Sequence, residues 1–115
     1  RVADFLVDAI ADVKKLIPGV RPCAFGHVGD GNIHFNLSRP VDMSDDEFWL
    51  LEPELHKMVY DRTVAMGGSI SAEHGIGRLR RDELKAYKSP VEMDVMRSIK
   101  ETLDPNGIMN PGKVL

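Results

Sequence analysis

The chain has 115 residues, 43% of them apolar, and a formal net charge of −3 at pH 7. That length supports one domain with a core but is short for a complete enzyme built around a large cofactor. The mild acidity leaves no electrostatic footprint for nucleic acid, and no apolar run approaches the roughly 18–20 residues of a membrane span.

Val2, Phe5, Leu6, Ala9, Ile10, Val13, Leu16 and Ile17 recur at helical spacing, which predicts an amphipathic helix closed by Pro18-Gly19. The chain opens on Arg1 inside that pattern and carries no signal peptide, as expected for a piece of a longer protein. Cys23 is the single cysteine, so no internal disulfide is expected. Its setting, Pro22-Cys23-Ala24-Phe25, predicts a small buried apolar side chain in a reducing, cytoplasmic compartment.

A hairpin is expected over about residues 22–38, because Asp30-Gly31 suits a two-residue type I′ turn with positive φ at both positions. That turn sets His27 directly opposite His34 and puts Asn32 and Asn36 on the same face, while Ile33, Phe35 and Leu37 point the other way. One face is a core and the other a site. Either histidine alone reads as a half-buried packing residue. Two that face each other leave four ring nitrogens needing partners, or two cations that repel, and a shared metal ion answers both difficulties.

Ser44-Asp45-Asp46-Glu47 is a capping box opening a short helix, which Pro53 should interrupt. Pro53 then suits the first turn of a second helix running to Met66, with Leu55, Met58, Val59 and Met66 inward. Trp49 and His56 read as packing or surface residues. After Gly67-Gly68, a short β-type run, Ser69 to Ala72, ends in Glu73-His74-Gly75, where side chains leave a sheet edge and line a cleft. Glu73 is the third candidate ligand, and two imidazoles with one carboxylate form an open set suited to catalytic metal. His74 projects opposite Glu73 if the strand continues, whereas a turn at Gly75 brings both into one pocket; the sequence leaves both geometries open.

A short helix should carry Arg78, Arg80 and Arg81, whose plainest reading is a solvated basic face. Ser89-Pro90-Val91-Glu92 is a second capping box, heading a helix whose apolar stripe is Val95, Met96, Ile99 and Leu103. Asp104-Pro105-Asn106-Gly107 ends it, and an extended tail from Ile108 to Leu115 should dock on another surface. Neither Gly29-Asp30-Gly31 nor Gly75-Ile76-Gly77 has phosphate-loop spacing. The order of elements gives an α+β fold, an antiparallel sheet covered by helices on one side.

Three motifs in order, Gly26-His27-Val28-Gly29-Asp30-Gly31-Asn32-Ile33-His34, Ser71-Ala72-Glu73-His74-Gly75-Ile76-Gly77, and Asp104 through Lys113 ending Asn110-Pro111-Gly112-Lys113, resemble the C-terminal part of FAD-linked oxidases. That family includes D-lactate dehydrogenase, the flavoprotein subunit of glycolate oxidase and D-2-hydroxyglutarate dehydrogenase. The resemblance implies a ferredoxin-like cap fragment of a flavoenzyme that oxidises a D-2-hydroxy acid to the 2-oxo acid. On this reading residues 1–115 form one domain, about 1–88 belonging to the cap and about 89–115 returning to the flavin domain. It further implies that His27, His34 and Glu73 are ligands to a divalent metal, usually zinc, that Asn36 contacts substrate, that His74 is the base, and that Asn110 approaches FAD. FAD itself would be held mainly by a domain of the parent chain outside these residues, so the fragment alone should be inactive, and its exposed apolar surface offers a route to homodimers. Two rival readings use the same ligands: a free-standing metal-binding or interaction module without redox chemistry, and a small metal hydrolase. They part from the first on whether the reading frame continues into a flavin-binding domain.

Overall fold

The computed structural model describes residues 1–115, which divide into two units, Arg1–Ala72 and Glu73–Leu115. The first holds α1 (Val2–Leu16), β1 (Arg21–His27), β2 (Asn32–Ser38), α2 (Asp45–Leu50) and α3 (Glu52–Ala65). The second holds α4 (Arg81–Tyr87) and α5 (Pro90–Leu103). With five helices and one two-stranded antiparallel sheet, the chain is α+β, as its sequence predicts.

The core of the first unit follows from the helical spacing of α1 and its exit. Val13, Ile17, Val20 and Leu55 are buried together, and Phe35 and Leu37 of β2 pack against them. Phe5 meets Phe35 edge to face, with ring centroids 6.1 Å apart, an arrangement that suits the ring quadrupoles. The helices therefore cover one face of the hairpin, the face carrying Ile33, Phe35 and Leu37. Arg62 of α3 ties the same helices from outside by pairing with Asp8 and Asp12 of α1. Both capping boxes form: the hydroxyls of Ser44 and Ser89 accept the amides of Glu47 and Glu92, whose carboxylates accept the serine amides in return. Pro53 stands in the first turn of α3, where its missing N–H costs nothing.

Several local expectations are corrected. The hairpin pairs His27 with Asn32 and Phe25 with His34, so His27 and His34 are not directly opposed. The turn spans four residues, 28–31, because the Asp30 carboxylate accepts the Asn32 amide at 3.1 Å and Gly31 takes φ +75°. This side-chain bond to the backbone two residues on competes with the tighter turn. Cys23 is exposed instead of buried, since alternation places it on the solvent face with Phe25 and His27. Ser69 to Ala72 forms turns and no strand: the Ser69 hydroxyl accepts the Ser71 amide, Ala72 has φ +42°, and no third strand exists to pair with it.

In the second unit α4 starts at Arg81, so Arg78 and Arg80 lie before the helix. Ile76, Leu84 and Met93 are buried. Of the expected α5 stripe, Met96 is half-buried, whereas Val95, Ile99 and Leu103 are exposed and form with Val91 a row spaced four apart, separate from Met93. The tail is looped where an extended run is expected. Asp104, buried, accepts the Ile108 and Met109 amides at 3.0 Å each, and Lys100 bridges Asp104 to the Met109 carbonyl. Its hydrogen bond to Lys100, with those of the two amides, holds the Asp104 carboxyl below the usual range.

Glu92 offers a direct test of the second cap. Its hydrogen bond to Lys88, then those to the amide and hydroxyl of Ser89, lower its pKa from 4.5 to about 2. A carboxyl depressed on folding contributes its stability above the unfolded value and loses it as pH falls through the folded one. An NMR titration of the Glu92 carboxyl is therefore expected to show a midpoint near 2, with Lys88→Ala moving it upward. A midpoint at 4.5 in the folded protein would show that the cap does not hold.

Candidate functional site

The hairpin's solvent face is assembled by the alternation of its strands. Cys23, Phe25 and His27 on β1 share it with Asn32, His34 and Asn36 on β2. The two-residue slip in register leaves that parity intact, so both imidazoles stay on one face as diagonal neighbours. Diagonal positions lie roughly 7–8 Å apart, within mutual reach of long side chains.

Each imidazole has a close neighbour that the sequence alone did not reveal. The Phe25 ring stacks on His34 with centroids 4.9 Å apart and planes 6° from parallel. The Asp30 Oδ2 lies 3.8 Å from His27 Nδ1, while its Oδ1 holds the turn. Asp30 was legible only as a turn former, and Phe25 only as an apolar neighbour of Cys23. Asn36 is exposed, opposite Cys23.

Glu73 and His74 open the second unit. Of the two geometries left open by the sequence, the turn is the one adopted: Gly75 has φ +69°, and Glu73 Oε1 lies 3.3 Å from His74 Nε2. A continuing strand would have sent these neighbours to opposite faces. His74 is the more open, with 76% of its side chain exposed against 35% for Glu73. Buried Ile76 pins the loop behind them between Gly75 and Gly77. The tail is tied to this loop, because the Val114 amide donates to the Gly77 carbonyl at 2.7 Å. Glu73 to Gly77 of the second motif and the tail are thus joined within one unit. Asn110, exposed and at φ +48°, sits in the tail's turn and accepts the Lys113 amide at 3.3 Å.

The donors are chemically suited to a divalent ion. Imidazole nitrogens and a carboxylate oxygen are the ligand types of zinc and its neighbours, and three of them leave positions open. A carboxylate beside Nδ1 of one imidazole is the arrangement that leaves its Nε2 to a metal. The donor types on this face therefore fit the group that the resemblance implies.

Comparison with known proteins gives a consistent result. The family model for FAD linked oxidases, C-terminal domain, matches residues 1–114. D-2-hydroxyglutarate dehydrogenase of Stutzerimonas stutzeri is 43% identical over 114 residues, covering 99% of this chain and 25% of the relative. The mitochondrial D-2-hydroxyglutarate dehydrogenase of Bos taurus is 40% identical over 97% of the chain and 20% of the relative. D-lactate dehydrogenase of Anaerostipes hadrus is 43% identical over 79% of the chain and 19% of the relative. The chain thus spans a quarter or less of the length of these relatives. No helix is long and apolar enough to cross a membrane.

Proposed function

The chain belongs to the family of FAD linked oxidases, C-terminal domain, and from that membership we propose that it serves a flavoenzyme oxidising a D-2-hydroxy acid to the 2-oxo acid. D-2-hydroxyglutarate and D-lactate are the proposed substrate class, with glycolate as a smaller variant. The observation that carries the reading is the exposed hairpin face, where His27, His34 and Asn36 stand together opposite the apolar side that builds the core.

His27, His34 and Glu73 would hold a divalent ion, zinc by donor type. When bound, the ion supplies Lewis acidity toward the oxygens of the hydroxy acid. FAD, held mainly by another part of the parent chain, supplies the hydride acceptor. The chain's own residues do the rest. His74, an exposed imidazole, takes the proton of the 2-hydroxyl and passes it to solvent. Asn36 offers amide donors to the substrate, and Asn110 in the tail's turn faces the flavin. Residues 89–115 return to the flavin domain, a reading supported by the exposed row Val91, Val95, Ile99 and Leu103 on α5. A cytoplasmic location is proposed on the single cysteine alone, although some relatives are named as mitochondrial.

The test uses the full-length protein. A D-2-hydroxy acid is expected to bleach its flavin absorbance anaerobically, a chelator to abolish the bleaching, and added Zn²⁺ to restore it. His27→Ala is expected to lose the metal. A flavin reduced at the same rate after metal removal, or not reduced by any 2-hydroxy acid, would overturn the reading in favour of a module without this chemistry.

A further inference from the structure

Asp30 stands where one side chain serves two partners. Its Oδ1 accepts the Asn32 amide at 3.1 Å, which fixes the carboxylate relative to the hairpin. With that oxygen committed, Oδ2 is presented to the other strand, 3.8 Å from His27 Nδ1. The turn bond therefore sets where the second oxygen lies, and it lies beside the one ring nitrogen a metal on Nε2 would leave free. An anion there favours the tautomer with the proton on Nδ1 and raises the donor strength of Nε2.

Phe25 does for His34 what Asp30 does for His27, by packing and not by charge. It is 54% exposed, and its ring lies flat on the imidazole at 4.9 Å and 6°. Stacking of this kind restrains the imidazole as well as the phenyl ring. A fixed ring plane for His34 favours metal binding, since a ligand held in one orientation loses less rotational freedom when it binds.

We propose that Asp30 and Phe25 are positioning residues for the metal, Asp30 selecting the ring nitrogen of His27 and Phe25 fixing the ring plane of His34. The proposal rests on the metal reading above and adds what makes an exposed and a half-buried imidazole a prepared site.

Two substitutions separate positioning from scaffolding in the full-length protein. Asp30→Asn keeps an oxygen for the Asn32 amide, so the turn survives, but removes the anion beside His27. Phe25→Leu keeps apolar bulk but removes the flat ring. Zn²⁺ affinity, measured by competition with a chromophoric chelator, is expected to fall roughly 10–100-fold in each, the usual cost of losing a group that orients a ligand. The visible absorption of the Co²⁺-loaded protein should change in both, while the melting temperature of Asp30→Asn stays unchanged. If both variants bind Zn²⁺ and colour Co²⁺ as the unsubstituted protein does, while His27→Ala loses metal, the proposal falls and the metal reading stands. If His27→Ala also binds normally, the metal reading itself falls. An affinity loss that appears only with a lowered melting temperature in Asp30→Asn assigns Asp30 to building the turn and overturns its positioning role.

Discussion

His74→Ala in the full-length protein is expected to lower kcat roughly 10²–10⁴-fold, the range typical of a lost acid–base group, while metal and FAD contents stay unchanged. Glu73→Ala is expected to fail differently, losing the metal first and activity with it. The two side chains are sequence neighbours whose polar atoms lie 3.3 Å apart, so a purely structural disturbance of the turn should strike both variants alike. Their chemistry separates them. A carboxylate committed to a cation is held ionised and has little basicity to offer, whereas an imidazole exchanges protons near neutrality. His74 is also the more open of the pair, which suits a group that must hand its proton on to solvent. Metal analysis, flavin absorbance and steady-state rates on the same three preparations decide the matter. Near-normal turnover in His74→Ala, or metal loss equal to that of Glu73→Ala, would reassign His74 as a ligand or a structural residue.

What the sequence made legible here were features with local causes. Ser44 and Ser89 announce helix starts because a hydroxyl three residues before a glutamate satisfies orphan amides reciprocally, and both caps form. The division of the hairpin into a core face and a polar face follows from alternation alone. It survives the register error because the slip is by two residues; a slip of one would have sent both histidines to the other face. That same parity exposes Cys23, whose apolar neighbours in sequence predict burial but whose position on the strand decides otherwise.

The features that were not legible depend on partners distant in the chain. Ser69 to Ala72 has strand composition, but strand composition needs a strand to pair with, and only two exist. The row on α5 is helical and apolar, as its spacing predicts, yet spacing cannot say what covers it. Asp104 reads as a turn residue, and nothing local predicts that its buried carboxylate gathers two amides and Lys100 into the knot that loops the tail. At the site the residue types were legible, and the supporting pair, Asp30 and Phe25, was not, because each has a sufficient ordinary explanation.

Gly26→Ala is expected to weaken the metal site although every ligand residue is retained. Gly26 precedes His27 and pairs with Ile33 across the hairpin. Its φ is +148°, a conformation that side chains rarely adopt, and a Cβ built there would lie 2.1 Å from the Asn32 carbonyl oxygen and 3.1 Å from the Ile33 Cα. Both obstacles are backbone, so no side chain can swing aside to relieve them. The strands must separate at the end of the hairpin that carries His27, Asp30 and Asn32. Forcing a residue into so sparsely populated a conformation costs on the order of 1–3 kcal/mol before the clash is counted. Passed on to the site, that is a loss of roughly 5–150-fold in metal affinity, at about 1.4 kcal/mol per factor of ten. Gly29→Ala is the matched control, since a Cβ at Gly29 meets nothing within 4 Å. Zn²⁺ affinity of the two full-length variants is the measurement, with retained FAD showing that the remainder of the protein is folded. Gly29→Ala should bind close to the unsubstituted protein and Gly26→Ala far more weakly. Equal affinities would mean that the hairpin's end does not position a ligand, and that His27 stands outside the metal's coordination.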